Sequence, residues 1–270
     1  MVKVRLNFRK VAAIAAYLVI TLLFASCKKD DNGTVFLLKE IQFSDDRRYV
    51  FEYDNQNRIT KRTEYIANVR HTDNIFNYHV AEDLIEMIME NHQNSQLNGK
   101  ITFYKNGNKI TYDVYNGHRE IELNTQGLPE KLTIDYQGGA GAGFGEWRTA
   151  SAIFTWQNGN LTKEEWEEDA REYGEEGSLF SIINRTYDDK KSPFYHCKTP
   201  KWLIREVIFD HYNENNIKTE TVEYIPPIFA YLAPTYEYSY NDDGFPVTNK
   251  ISFGEYPDLI YTETYKYKKK

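Results

Sequence analysis

The chain has 270 residues, 33 Lys and Arg against 40 Asp and Glu, a formal charge of −7 and 15% aromatic side chains. The acidic excess repels a phosphate backbone and excludes nucleic acid as the partner. Two cysteines, Cys27 and Cys197, are too few for a disulfide framework, and a chain this long can bury a core without one.

Residues 1–26 have the three parts of an export signal. Lys3, Arg5, Arg9 and Lys10 form a basic start, Val11 to Phe24 is an apolar run broken only by Thr21, and Ala25-Ser26 supplies small residues. The run is shorter than the ~18–20 residues of a usual membrane span. Leu22-Leu23-Phe24-Ala25-Ser26-Cys27 resembles the end of a bacterial lipoprotein signal peptide, with Phe24 where Leu is usual. The resemblance implies cleavage before Cys27 and lipidation of its thiol. Plain secretion and a membrane span are the alternatives. Lys28-Lys29-Asp30-Asp31 resembles the tag that follows the lipidated cysteine in Bacteroidetes surface lipoproteins, which implies the outer membrane, with surface exposure favoured over the periplasm. Residues 27–34 read as a flexible tether. Loss of 1–26 removes four basic residues and no acidic one, taking the formal charge from −7 to −11.

Residues 35–270 read as one β-repeat domain, with no linker dividing them. A unit recurs: an aromatic strand, a polar turn rich in Asn, Asp and Gly, then a second strand. It is seen at Tyr53 with Asp54-Asn55-Gln56-Asn57, at Tyr104 with Lys105-Asn106-Gly107-Asn108, and at Leu123 with Asn124-Thr125-Gln126-Gly127. It returns at Trp156 with Gln157-Asn158-Gly159-Asn160 and at Tyr240 with Asn241-Asp242-Asp243-Gly244, with weaker copies at Tyr187 and Tyr212. Asn and Gly tolerate the positive φ of tight hairpins. The flanks alternate, as in Ile110, Tyr112 and Val114, in Leu132, Ile134 and Tyr136, and in Tyr236, Tyr238 and Tyr240. Alternation means one buried and one wet face. The long first gap predicts a further hairpin, with strands from Asn74 to Val80 and Asp83 to Glu90. The expected fold is all-β: about 14–18 antiparallel strands in up-and-down order, curled into a barrel or flattened barrel with aromatics inside. Ile225-Pro226-Pro227 and Ala233-Pro234 break the pattern and predict a loop or irregular strand ends.

The Tyr53-to-Thr60 pattern, Tyr-Asp followed by Arg-Ile-Thr, resembles the YD-type repeats of large bacterial surface and toxin-shell proteins. Together with the Cys27 motif it resembles a Bacteroidetes lipoprotein family of unknown function with a porin-like β fold. That resemblance implies architecture and address and transfers no catalytic residue.

No constellation carries chemistry clearly. Glu164-Glu165-Trp166-Glu167-Glu168-Asp169 could hold the carboxylate pair of a glycoside hydrolase, but reads better as a solvated edge or hairpin end. His196-Cys197 reads as a lone thiol beside a histidine; if adjacent on a strand, the two would point apart. The six histidines show no zinc spacing. Gly138 to Gly145 lacks the Lys-Ser/Thr of a phosphate loop, and Asn241-Asp242-Asp243-Gly244 lacks the alternating ligands of a calcium loop. No catalytic, cofactor or metal residue is nominated, and no cofactor is expected. Trp147, Trp166 and Trp202 are candidate sugar-stacking residues, against core packing as the alternative. The expected function is a non-enzymatic lipoprotein, held to the membrane by Cys27, that binds a glycan, a peptide or an outer-membrane protein. A glycan-processing hydrolase and a pore are the alternatives.

Overall fold

Period-two alternation produces sixteen antiparallel strands in the computed structural model, which describes residues 33–80, 83–114, 117–137, 147–168, 178–208, 212–224, 233–254 and 256–270. In chain order these are β1 (Phe36–Phe43), β2 (Arg47–Tyr53), β3 (Ile59–Ile66), β4 (Val69–His79), β5 (Leu84–Asn91), β6 (Gly99–Asn106), β7 (Lys109–Val114) and β8 (Gly117–Leu123). They continue with β9 (Pro129–Gln137), β10 (Trp147–Gln157), β11 (Asn160–Glu168), β12 (Ser178–Lys191), β13 (Asn215–Tyr224), β14 (Pro234–Tyr240), β15 (Pro246–Phe253) and β16 (Tyr256–Lys269). Each strand pairs with its neighbours in sequence, and β1 pairs with β16, closing the barrel. The hairpin expected in the first gap is β4–β5, paired from His79↔Leu84 to Thr72↔Asn91.

Three of the recurring turns share one geometry. Asp54, Asn124 and Asn241 each accept two backbone N–H bonds on a single Oδ1, from Gln56 and Arg58, from Gln126 and Leu128, and from Asp243 and Phe245. The fourth turn residue is left-handed in each: Asn57 (φ 66°), Gly127 (75°) and Gly244 (80°). The acidic or amide residue caps the turn, and the residue three later supplies the positive φ.

Bulges next to the turns leave backbone carbonyls to be satisfied, and interior aromatics do so. Tyr53 donates its hydroxyl to Leu38 O at 2.8 Å, Tyr78 to Ile59 O at 2.8 Å, Tyr187 to Leu161 O at 2.5 Å and Tyr267 to Pro246 O at 2.8 Å. Trp156 Nε1 donates to Pro129 O in the same way. In each case the donor stands near the turn end of one strand and reaches the preceding strand. This belt explains why the repeat uses Tyr and Trp, which pair an apolar ring with a polar tip. Tyr104 is the exception that faces outward and is exposed.

The barrel is filled. Phe51, Phe76, Phe103, Ile110, Tyr112, Ile121, Leu132 and Phe154 belong to one buried cluster. The connection between β12 and β13 folds into the turn end of that interior. It includes α1 (Lys201–Ile208) and buries Phe194, Trp202, Leu203, Ile204 and Tyr212 among the strand residues. Phe194 meets Phe51 edge-on at 5.3 Å, and Trp202 lies 5.4 Å from Phe103. Thr199 Oγ1 accepts from Ile59 N, and Asn213 Oδ1 from Leu161 N. This plug corrects the expectation of repeat copies at Tyr187 and Tyr212. Tyr187 lies within β12, and Tyr212 is buried in the connection, so neither opens a tight hairpin.

A buried ionic network fastens the plug to the wall. Arg185 on β12 bridges Glu164 on β11 and Glu220 on β13 at 2.5 Å each. Arg205 on α1 contacts Glu164 at 3.6 Å and Glu206 at 3.0 Å, and Glu206 also receives Arg119 at 3.0 Å and the Tyr112 hydroxyl.

The outer face is polar. On β7, β8 and β9 the side chains opposite the core are Lys109, Thr111, Asp113, His118, Glu120, Glu122, Lys131, Thr133 and Asp135. Ion pairs cross this face, including Lys109–Glu120 at 2.6 Å, Lys163–Glu165 at 2.7 Å and Lys266–Glu40 at 2.7 Å. Exposed apolar residues such as Ile153 and Ile260 stand among polar neighbours. A lipid-facing barrel instead needs an apolar band ~25 Å tall.

Candidate ligand cleft at an open seam

One wall of the barrel is incompletely zipped. β13 and β14 share a single registered pair, Thr219↔Thr235. The start of β13 is drawn to the β11–β12 side instead. Asn215 N donates to Asn160 Oδ1 at 2.9 Å, and Asn215 Nδ2 to Lys190 O at 2.8 Å. Asn216 N donates to Asp188 Oδ1 at 3.1 Å, and Asn216 Nδ2 to Asp188 Oδ2 at 3.2 Å and Lys191 O at 3.1 Å. The polar stretch from Asn213 to Asn216 thus spends its hydrogen bonds away from β14.

The inward face of β14 consequently lines an opening. Tyr236 and Tyr238 stack at 6.5 Å with 9° between rings, and Tyr238 and Tyr240 follow at 6.0 Å and 31°. With Tyr187, Asp188, Asp189 and Lys218 they border a cleft of about 480 Å³. Small-molecule sites span ~300–1,000 Å³. Tyr240 holds the place of the belt tyrosines, yet donates its hydroxyl to Asp188. Burial and that bond push its phenol up, and burial and the Glu263 carboxylate do the same for Tyr238. Both phenols therefore stay protonated.

Behind Tyr236 and Tyr238 lies a chamber of about 50 Å³ bordered by Asn216, Asn249, Ile251 and Glu263. It exceeds the ~10–15 Å³ that one water needs. Glu263 accepts from Asn249 Nδ2 at 2.9 Å and from the Tyr265 hydroxyl. Asn216 and Asn249 are 3% and 1% exposed, and the Oδ1 of each has no hydrogen-bond partner among the described residues. Two residues with unpartnered buried acceptors thus border a chamber that Tyr236 and Tyr238 also line. In the sequence, Tyr236, Tyr238 and Tyr240 read only as an alternating strand. The missing signal was tertiary: nothing local says that β13 and β14 pair over so short a length.

The residues singled out in the sequence are dispersed. Cys27 and Gly138 to Gly145 lie outside the described residues. Trp147 opens β10, Trp166 on β11 packs against the core and donates to Glu164, and Trp202 is 5% exposed in the plug. Trp202 thus belongs to the core and is not part of a surface platform. In the acidic run, Glu164 faces inward, while Glu165 and Glu167 pair with Ile153 and Ser151 on the outer side. Burial pushes Glu164 up, and Arg185 and Arg205 more than offset this, leaving it below the usual carboxylate range and unsuited to donate a proton. His196 and Cys197 stand in the turn-rich part of the plug, so the strand argument for their orientation does not apply. His196 Nδ1 accepts from Phe36 N at 3.0 Å, and burial pushes the Cys197 thiol up, away from a reactive thiolate.

Asp73, Glu90 and His92 meet on the outer face with one ligand atom each inside 4.8 Å. Asp73 is already held by Lys61 at 3.0 Å and by Arg70. Burial acts to raise it, and the bonds from Arg70, Lys61, Thr63 and His92 bring it well below the carboxylate range. The two basic side chains leave little charge for a metal ion to neutralise.

No family model matches the chain, and no curated protein does. Solved structures match its fold. A porin-like protein from Bacteroides vulgatus ATCC 8482 aligns over 86% of this chain and 99% of its own, with TM-score 0.52 and 12% identity. A porin-like protein from Bacteroides uniformis ATCC 8492 aligns over 86% and 96%, with TM-score 0.49 and 11% identity. By architecture, then, the chain is a closed up-and-down β-barrel. Its fold is that of the porin-like proteins, with a charged outer face and a filled interior.

Proposed function

We propose that this protein is a lipid-anchored binding module of the outer membrane, tethered through Cys27 and holding its barrel in water on the cell surface. The observation that carries the reading is the pairing of a charged outer face with an interior filled by side chains and a plug. Charged strands do not lie in hydrocarbon at low cost, since Lys or Arg at mid-bilayer costs ~2–4 kcal/mol each. Among the described residues, an aromatic cluster and the plug occupy the turn end of the interior, where an ion path would have to pass. A lipid on Cys27 would supply the membrane attachment that such a wall does not.

A catalytic role finds no support in the acidic run, where Glu164 is committed to two arginines. The seam cleft is the natural place for a ligand, because it combines an opening, aromatic faces and unsatisfied buried acceptors. The reading is tested in cells of the native host. Radiolabelled palmitate should enter the wild-type chain and not Cys27→Ala, and protease added outside intact cells should remove the wild-type barrel. An unlabelled wild-type chain would overturn the anchor. A labelled chain that is cleaved only after the outer membrane is opened would place the module in the periplasm.

A further inference from the structure

We infer that the cleft between β13 and β14 binds a neutral saccharide chain. The inference rests on the binding-module reading and goes beyond it by assigning the site and the ligand class.

Three observations lead there. Tyr236, Tyr238 and Tyr240 form a ladder along one strand, with rings 6.5 and 6.0 Å apart. An aromatic ladder lining a cleft offers a run of apolar ring surface with polar tips, which suits the C–H faces and hydroxyls of successive sugar rings. A cage for a single ammonium group would need rings on several sides of one point.

The second observation is polar. Asn216 Oδ1 and Asn249 Oδ1 are buried acceptors without a protein donor among the described residues, and both border the inner chamber. A buried acceptor left unpaired is costly, and a ligand hydroxyl reaching it, directly or through a bridging water, removes that cost. Hydroxyl groups are what a saccharide brings in number.

Charge is the third. Asp188, Asp189 and Glu263 border the two spaces against Lys218 as the cation. Asp188 and Glu263 already accept hydrogen bonds from Asn216, Tyr240, Asn249 and Tyr265, so they need no cationic ligand to satisfy them. They still repel uronic or sulfated sugars. Neutral, hydroxyl-rich and flat-faced is the chemistry that remains.

Mature lipidated protein in a zwitterionic detergent without a sugar headgroup is titrated with maltohexaose, mannohexaose, hexagalacturonate and spermine by isothermal calorimetry. At least one neutral hexasaccharide should bind saturably, and at least tenfold more tightly than hexagalacturonate or spermine. Tyr238→Ala should weaken that binding at least tenfold, while Tyr238→Phe, which keeps the ring face, should stay within about threefold of wild type. Melting curves identify a variant that has failed to fold; Tyr236→Ala, on the same ladder, then repeats the test and should also weaken neutral binding at least tenfold. No neutral binding, spermine binding alone, or equal binding by folded Tyr238→Ala would overturn the inference. Liposome insertion and conductance by the same preparation would instead overturn the underlying reading of the barrel, so the two failures are distinct.

Discussion

Two kinds of residue hold the turn end together. The first supplies positive φ. Gly127 sits at φ 75° with no atom within 4 Å of the point a Cβ would occupy, so a side chain there meets only the backbone penalty. Gly127→Ala should cost about 1–2 kcal/mol in urea unfolding, and Asn57→Gly in the equivalent turn should cost nothing or stabilise slightly. The second kind is the belt of aromatic donors. Tyr267→Phe removes one hydrogen bond to Pro246 O and should cost about 1 kcal/mol, whereas Tyr104→Phe, on an exposed outward side chain, should be close to neutral. Equal effects at the two tyrosines would sink the belt as a stabilising device.

At the scale of elements, the repeat was legible and its interruption was not. β7, β8 and β9 could be read residue by residue, because Ile110, Tyr112, Leu132 and Ile134 alternate with Lys109, Thr111, Lys131 and Thr133. The turns at Asp54, Asn124 and Asn241 were equally clear, since a side-chain cap and a left-handed residue are local requirements. The plug was missed because strand periodicity was carried through it. Pro200 followed by Trp202, Leu203, Ile204, Val207 and Ile208 has helical spacing and is the signal that marks α1. The open seam had no such signal. Nor did the ionic network, whose members Arg119, Glu164, Arg185 and the adjacent pair Arg205-Glu206 come from four separate elements. That network has measurable consequences. Arg185→Met leaves Glu164 and Glu220 without their shared guanidinium and should destabilise the barrel by about 3–5 kcal/mol. Glu164 titrates below its ordinary value, so it contributes stability above about 4.5, lost as the pH falls from there toward its lowered folded-state value. Asp54, Asp73 and Glu40 are displaced in the same direction. Melting temperature should therefore drop as pH falls from about 4.5, and Arg185→Met should flatten the Glu164 part of that slope.

For the whole molecule, the arrangement of strands is porin-like, while the described outer face carries charged pairs where a lipid-facing barrel carries an apolar band. The usual division, apolar outside and polar inside, is exchanged for charged pairs outside and an aromatic core with a plug inside. Closure removes the sheet edges that would otherwise invite aggregation, and among the described residues the most loosely joined seam, between β13 and β14, is where the tyrosine ladder lies. Local rules broken at one place and kept elsewhere are the pattern expected of a working site. The central claim is that the barrel stands in water and only a lipid on Cys27 joins it to the membrane. Liposome flotation tests this most directly, with the lipidated mature chain and its Cys27→Ala counterpart run in parallel without detergent. The lipidated chain should float with the liposomes, while Cys27→Ala should stay in the dense fraction as a folded, monodisperse protein. Flotation of Cys27→Ala with the vesicles, together with ion conductance across them, would contradict the claim.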